Sequence, residues 1–266
     1  MTSRRSVPLL LAAAATIAVA CSGLTDLHSV PFGFVTLVAQ RAGAGFTASP
    51  IGTFYDAGGL GVPSAVSPWD SCRLQSYSPA AAVRLGDIYA SISAGASIVV
   101  RVSGRTDSLY PVALGSETQY KLRAPLAVPY RPGDSVSVAI PGTSSGYPAI
   151  SFTAKTAEAV VVTDFAPPAS GSRLDLKWNA GQDLNGTMSF SFRYGALDTD
   201  TLNTQVYCQF KDDGADSIPA KFISSWAAAR TRTWTASRVR TFVAPVAKGG
   251  YFDFISTFDL PTPVSP

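Results

Sequence analysis

The segment Thr187-Met-Ser-Phe-Ser-Phe-Arg-Tyr194 alternates large apolar side chains with small or charged ones along its whole length. Successive side chains of a β-strand point to opposite faces of the sheet, so a period of two predicts a strand with one buried face. The segment Arg173-Leu-Asp-Leu-Lys-Trp178 repeats the pattern, and residues 135–140 repeat it again. The chain is therefore expected to consist mainly of β-strands.

Turn-forming residues separate these segments. Arg131-Pro-Gly-Asp134 is typical of a type II turn, because proline fixes φ at the second position and glycine tolerates a positive φ at the third. Lys248-Gly-Gly250 lies between two β-branched or aromatic runs, which predicts a hairpin. Only residues 218–230 favour a helix, with Ser217 as its predicted cap. The pattern predicts an all-β fold with at most one short helix.

The length of the strand-rich region predicts two domains. About 230 residues follow the N-terminal segment, against roughly 100 in a typical seven-stranded sandwich, so we predict two β-sandwich domains. In chain order the prediction is a cleaved signal peptide (1–20), a lipid-anchored tether (21–32), a first sandwich (33–155), a second sandwich (156–260) and a proline-rich tail (261–266).

Composition excludes several classes of protein. The chain has 266 residues, of which 46% are hydrophobic and 15% charged, and its formal net charge is +3. Disordered chains combine low hydrophobicity with high net charge, and this chain has neither property. Removal of residues 1–20 takes away two arginines and no acid, which leaves the mature chain close to neutral. Such a chain has no net field to attract nucleic acid, and no nucleic-acid partner is expected.

The N-terminal segment predicts export. Arg4 and Arg5 precede an uncharged apolar stretch, residues 7–19, that is too short to span a bilayer and is typical of a secretory signal. Small residues then precede Cys21, an order that resembles the lipobox of bacterial lipoproteins, in which the cysteine becomes the lipid-modified first residue. Ordinary signal cleavage before this cysteine and a twin-arginine signal are the alternatives. We predict that Cys21 carries lipid and anchors the chain in the bacterial cell envelope, at the outer membrane or cell surface.

The cysteine count agrees with lipidation. The chain has three cysteines, Cys21, Cys72 and Cys208. If the first takes the lipid, the other two form an even pair in an oxidising compartment, where a disulfide is the default. The predicted domain boundary places them in different domains, so two separate buried thiols are the alternative.

The most distinctive charged pattern lies in residues 230–242. Guanidinium groups beside an indole can hold a sugar ring, a phosphate or a carboxylate, so one face of this predicted strand is a candidate ligand-binding face. The alternative is an exposed sheet face on which the arginines pair with acids of neighbouring strands. The residues of the face are Arg230, Arg232, Trp234, Arg238 and Arg240.

Signals for catalysis or cofactors are few. The only histidine is His28, in the predicted tether, so a Ser-His-Asp or Cys-His arrangement has no imidazole and no catalytic residue is predicted. Two acidic clusters could offer oxygen ligands to calcium, although Asp and Gly also favour plain turns, and no other cofactor is expected. The clusters are Asp198 with Asp200, and Asp212 with Asp213 and Asp216.

Several motifs between residues 85 and 238 carry a family resemblance, among them Leu85-Gly-Asp-Ile88, Leu174-Asp-Leu-Lys-Trp178 and Cys208-Gln-Phe-Lys-Asp-Asp-Gly214. Together they resemble a class of uncharacterised bacterial surface lipoproteins, and the second half is similar to immunoglobulin and fibronectin type III modules. The resemblance implies a surface location and a sandwich fold, and it implies no functional residue besides Cys21.

The expected function is that of a non-enzymatic, lipid-anchored envelope protein with a binding or structural role. Its expected partners are the membrane, through the N-terminal lipid, and an envelope protein or glycan. A first alternative is a glycan-binding module that uses exposed Trp69, Trp226 and Trp234. A second is a hydrolase that uses paired aspartates. Exposed tryptophans would favour the first alternative, and a buried or cleft-bound aspartate pair would favour the second.

Overall fold

A computed structural model of the protein describes residues 29–58, 60–61, 70–78, 84–169, 171–183, 186–195 and 201–260. Within these ranges the chain is nearly all strand, with one α-helix, and the all-β prediction is confirmed. The strands are β1 (Pro31–Ala42), β2 (Gly45–Asp56), β3 (Ser71–Ser76), β4 (Ala90–Ser91), β5 (Ile98–Val102), β6 (Arg105–Leu114), β7 (Glu117–Lys121), β8 (Val128–Tyr130), β9 (Ser135–Ile140), β10 (Ile150–Lys155), β11 (Val162–Phe165), β12 (Leu174–Trp178), β13 (Thr187–Tyr194), β14 (Thr204–Lys211), β15 (Ala215–Ile218), β16 (Arg232–Pro245) and β17 (Tyr251–Asp259); the helix α1 is Ala220–Ala228.

Most strands belong to one hydrogen-bonded sheet. Its order is β10-β9-β5-β6-β7-β2-β1-β17-β16-β13-β14-β3, and β4 and β8 also pair with β2. The pairing of β1 with β17 is parallel, and the other described pairs are antiparallel. A separate three-stranded sheet has the order β11-β12-β15. We call the part from β7 to β3 the main sheet.

The large sheet folds back on itself at β6. Residues 105–109 of this strand pair with β5, whereas residues 110–114 pair with β7. The part formed by β10, β9, β5 and the first half of β6, the four-stranded upper sheet, therefore lies over the main sheet. Phe152 of β10 packs with its ring centre 4.7 Å from that of Phe252 in β17. A Cβ at Gly52 of β2 would lie 3.2 Å from Cδ1 of Ile98 in β5, which shows how closely the two layers approach.

The three-stranded sheet and α1 cover the other end of the main sheet. Phe165 of β11 stacks on Trp234 of β16 at 4.2 Å between ring centres, and Trp226 of α1 meets Phe192 of β13 at 5.1 Å. Phe242, further along β16 and on the same side as Trp234, stacks on a ring of the four-stranded sheet. Both upper sheets therefore cover the same face of the main sheet, which we call the inner face.

The opposite, outer face carries a small aromatic cluster of its own. Phe32 and Tyr55 are buried there, and the partly buried Phe34, Tyr89 and Tyr251 pack against them. Phe32 and Phe34 of β1 alternate with Val35 and its inner-face neighbours, as the period of two requires.

The predicted domain boundary near residue 155 falls between β10 and β11, and main-sheet pairing crosses it. β1 pairs with β17, and β3 pairs with β14. One hydrophobic core contains residues from both sides, for example Val100 and Phe192. The division into domains 33–155 and 156–260 stays a prediction, but the two segments share a sheet and a core.

The turn and helix predictions agree with the structure in most details. The amide of Asp134 donates to the carbonyl of Arg131 at 3.1 Å, and Gly133 has a φ of +83°, as a type II turn requires. β16 and β17 pair as the predicted hairpin. The helix begins at Ala220 with Pro219 as its cap, because Ser217 belongs to β15. Among the described residues, no helix has both the length and the apolar character needed to cross a membrane.

Candidate functional site

A cleft with a volume of about 320 Å³ opens onto the inner face of the main sheet. It forms where the end of β10 and the connection between β12 and β13 meet β16 and β17. Apolar rings from the main sheet form one wall, and charged or amide side chains form the rest. The lining residues are Ala154, Lys155, Gln182, Asp183, Arg240, Thr241, Phe242 and Phe254.

Arg240 is the most deeply placed charge of the cleft, with a side chain that is only 10% exposed. Its Nη2 donates to Oε1 of Glu158, and its Nε lies 3.9 Å from Oδ2 of Asp183. Oε1 of Glu158 also accepts from the backbone amide of Gln182 at 3.3 Å. Within the described residues, Nε of Arg240 and Oε2 of Glu158 are buried without a hydrogen-bond partner. One donor and one acceptor are therefore unused beside the cleft.

This arrangement suits a small polar molecule. Buried polar atoms usually have a partner, so an unused donor beside an unused acceptor is capacity that a ligand or a water molecule can fill. The exposed ammonium of Lys155 adds a positive charge at the rim, and the ring of Phe242 adds apolar surface. Binding pockets commonly combine such apolar walls with a few polar groups.

A second polar cluster is more deeply buried, and its two charges pair with each other. Nε of Arg238 lies 2.6 Å from Oδ2 of Asp212, and its Nη2 donates to Oδ1 at 3.0 Å. Arg238 also donates to the carbonyl oxygens of Ala159, at 2.8 Å, and Asn179. The indole Nε1 of Trp178 donates to Oδ1 of Asp212 at 2.9 Å. This cluster links β12, the end of β14 and β16, and the cleft lining does not include it.

The prediction of a ligand-binding face on β16 needs correction, because the structure buries most of that face. Arg232, Trp234, Arg238 and Arg240 do share one face of β16, but that face is the inner one, and the last three of these residues are buried. The face turns inward because acids and carbonyl groups of other elements satisfy the arginines, as the two clusters above show. Of the predicted residues, only Arg240 lines the cleft.

The remaining two arginines of that prediction also fail to form a ligand platform. Arg232 is partly buried, donates to the carbonyl of Ala227 and lies 5.1 Å from the ring centre of Trp226. Arg230 is exposed but lies before the start of β16, so it is not part of the strand face.

The tryptophans give no exposed platform among the described residues. Trp226 is fully buried, and Trp178 and Trp234 are 4% and 5% exposed. Trp226 also donates from Nε1 to the carbonyl of Thr233 at 3.0 Å, as a core indole commonly does. The prediction of a glycan platform on Trp226 and Trp234 is therefore wrong, and Trp69 lies outside the described residues.

Cys72 and Cys208 form a disulfide, as the cysteine count predicts. The two residues are directly opposite each other in the register of β3 and β14. The alternative of two separate buried thiols is wrong.

The acidic clusters do not form a calcium site in the described residues. Both oxygens of Asp212 face Arg238, so this residue cannot serve as a calcium ligand and the prediction for it is wrong. No group of three or more metal-ligating side chains occurs in the described part of the chain, Asp213 and Asp216 included. Burial, together with the charges of Asp70 and Asp213, raises the pKa of Asp216. Asp198 and Asp200 lie outside the described residues, as do Cys21 and His28.

Sequence analysis missed several residues that the structure brings out. Lys155, Gln182 and Asp183 meet Arg240 only through tertiary structure, and nothing in their local sequence marks them. Asp253 was marked by its sequence, because an acid between two buried phenylalanines of a strand is unusual.

No protein-family model, no curated protein and no solved structure matches the chain.

Proposed function

We propose that the mature chain is an exported, non-enzymatic protein of the bacterial cell envelope, anchored through lipid on Cys21, with a binding role served by the cleft at Arg240. The observation that carries the proposal is the disulfide between Cys72 and Cys208. Disulfides persist in oxidising compartments outside the cytoplasm, which agrees with the export signal. With those two cysteines paired, Cys21 is the one left for modification.

The binding role is supported by the unused donor and acceptor beside the cleft, on Arg240 and Glu158. A small polar molecule with both kinds of hydrogen-bonding group, such as a fragment of an envelope glycan, fits this chemistry. The three tryptophans in the described part of the chain are buried and offer a sugar no ring to stack on, so recognition in the cleft would rest on hydrogen bonds and on the ring of Phe242.

The test combines fractionation, intact mass and thiol labelling of protein expressed in a bacterial host. We expect the mature protein in the membrane fraction, beginning at Cys21 with the mass of added acyl chains. Cys21→Ala should release the protein from membranes, whereas the matched control Cys72→Ala should leave it anchored. A mature chain with a free amine and thiol at Cys21, or with Cys72 and Cys208 alkylated without reduction, contradicts the proposal.

The same detergent-extracted protein serves for a binding test with soluble peptidoglycan fragments. The Lys155→Met variant, at the rim of the cleft, should weaken binding because it removes an exposed charge without disturbing the core. The matched control is Lys121→Met, on β7 and away from the cleft. Equal affinities of both variants and the wild type contradict the role of the cleft.

A further inference from the structure

Asp253 is an unexplained carboxylate in the middle of the main sheet. It lies on β17 between Phe252 and Phe254, which point to the inner face, so its own side chain points to the outer face. The residue is fully buried, and among the described residues neither Oδ1 nor Oδ2 has a hydrogen-bond partner.

The surroundings of this carboxylate are apolar. In the register of the sheet, Phe34 of β1 lies on one side of Asp253 and Val243 of β16 on the other. Tyr251 and Ile255 precede and follow it on the same face of β17. None of these neighbours carries a positive charge. The one titratable group among them is Tyr251, whose pKa rises to about 12 through burial and through the charge of Asp253.

The other buried acids of the described residues differ from Asp253 because each has a partner. Asp212 pairs with Arg238, and Glu117 accepts a hydrogen bond from the hydroxyl of Tyr55 at 2.6 Å. A buried charge without a partner is costly, and removing one partner of a buried pair is strongly destabilising for this reason. Proteins tolerate such costs mainly at functional sites, where stability is given up for binding or catalysis.

We propose that the outer face of the main sheet around Asp253 is a binding site for an organic ammonium ion, with the carboxylate as its counter-ion and the rings of Phe34 and Tyr251 beside it. An ammonium group supplies the missing charge and donors, and aromatic ring faces attract organic cations. A calcium ion fits less well, because it requires about six to eight oxygen ligands and Asp253 offers two.

A second copy of the chain is also a poor occupant. Pairing the same patch of two copies would bring one unpaired carboxylate towards another, which raises the electrostatic cost instead of removing it. The site lies on the opposite face of the main sheet from the cleft at Arg240, so it does not depend on the function proposed above. The partly exposed rings of Phe34 and Tyr251 must rotate to admit the cation, a motion that side chains make readily.

The test is a calorimetric titration of the detergent-solubilised full chain with two probes, tetramethylammonium and Nα-acetyl-lysine amide. We expect binding that is stronger at about pH 8 than at about pH 5, because the carboxylate must be ionised. Asp253→Asn should lower the affinity by about tenfold or more, since a desolvated cation contact is worth at least that much. The matched control Asp175→Asn removes an exposed charge of the same sign and should leave the affinity unchanged.

The two probes distinguish the source of the ammonium group. Preference for tetramethylammonium indicates a free quaternary amine, and preference for the lysine derivative indicates a basic side chain of a partner. Asp253→Asn keeps the shape of the side chain and removes an unfavourable charge, so it should fold, and circular dichroism verifies this. Binding of neither probe by the wild type, or equal affinities of the wild type and Asp253→Asn, overturns the proposal.

Discussion

Asp212 and Asp253 are buried to nearly the same extent, at 6% and 0% exposure, but their surroundings are opposite. Asp212 lies beneath the three-stranded sheet, and both of its carboxylate oxygens contact the guanidinium of Arg238. Its Oδ1 also accepts a hydrogen bond from the indole of Trp178. Asp253, on the outer face of the main sheet, accepts no hydrogen bond from any residue in the described ranges. Asp212 therefore stabilises the fold through its ion pair, whereas Asp253 lowers the stability because its charge is buried without a partner in the described part of the chain.

The backbone around Asp212 packs closely against its ion pair with Arg238. A Cβ at Gly181 would lie 2.0 Å from Oδ2 of Asp212, so only glycine allows the chain to pass so close to the carboxylate. Arg238 meanwhile donates to backbone carbonyls of the segments that enter β11 and leave β12. A charge pair with this many hydrogen bonds offsets much of the cost of its burial.

The largest effect is expected for Arg238→Met, which leaves Asp212 buried without a positively charged partner and with only the indole of Trp178 as a side-chain donor among the described residues. Loss of one partner of a buried ion pair should lower the free energy of unfolding by about 3–5 kcal/mol. The double variant Arg238→Met/Asp212→Leu should recover much of this loss, because no buried charge remains. Urea unfolding followed by tryptophan fluorescence measures both values.

The control for this prediction is the exposed pair of Arg173 and Asp175, with side chains that are 69% and 61% exposed. Arg173→Met should cost less than about 1 kcal/mol, because water already solvates both charges. A similar cost for the two arginine variants would show that the buried pair contributes little more than a surface pair.

A smaller effect is expected from the disulfide, the covalent link beside the Asp212 region. The bond joins Cys72 to Cys208 across a sequence separation of 136 residues. Cys208 lies on β14, the strand that ends directly before Asp212. The double variant Cys72→Ala/Cys208→Ala should lose about 2–4 kcal/mol, because the unfolded chain gains freedom. Reduction of the wild type should give the same loss in the same unfolding assay, and an unchanged midpoint in both experiments would contradict the prediction.

Local sequence patterns were enough to predict the strands, but they did not show for every strand which face is buried and which is exposed. The alternation in β13 and β12 identified buried faces correctly, because apolar and polar side chains differ there. In β16 the same rule placed Arg232, Arg238 and Arg240 on one face correctly and Arg230 wrongly, and because arginine is normally exposed, that face was predicted to be open to solvent and ligands. Its burial depends on Asp212 and Glu158, which lie 26 and 82 residues away in sequence.

The candidate sites were harder to predict for the same reason. The cleft gathers side chains from four separate segments, and the parallel pairing of β1 with β17 that positions Asp253 joins the two ends of the described chain. Period-two patterns carry no information on which distant strands become neighbours. The acid within the run from Tyr251 to Ile255 was the one local sign of an unusual site.

The smallest expected effect has the opposite sign and comes from Asp253→Asn. Burial raises the pKa of Asp253 from its ordinary value of 3.8 to about 6. A group whose pKa is raised by folding contributes stability below its unfolded pKa, and that contribution is lost as the pH rises through the folded pKa. Near neutral pH the ionised carboxylate therefore lowers the free energy of unfolding, and asparagine, which mimics the protonated acid, should restore about 1–3 kcal/mol.

The advantage of Asp253→Asn over the wild type should be full above about pH 6. It should shrink as the pH falls and vanish below about pH 4, where the carboxyl becomes protonated in the folded and the unfolded state alike. Urea unfolding of both proteins across this range measures it, with Asp175→Asn as the control that should show no such dependence. An asparagine variant that is less stable than the wild type at neutral pH would mean that the carboxylate is favourably paired in solution, and the contrast with Asp212 would then be lost. A stabilised variant that has also lost ammonium binding would instead show that the chain gives up stability at this position for a ligand.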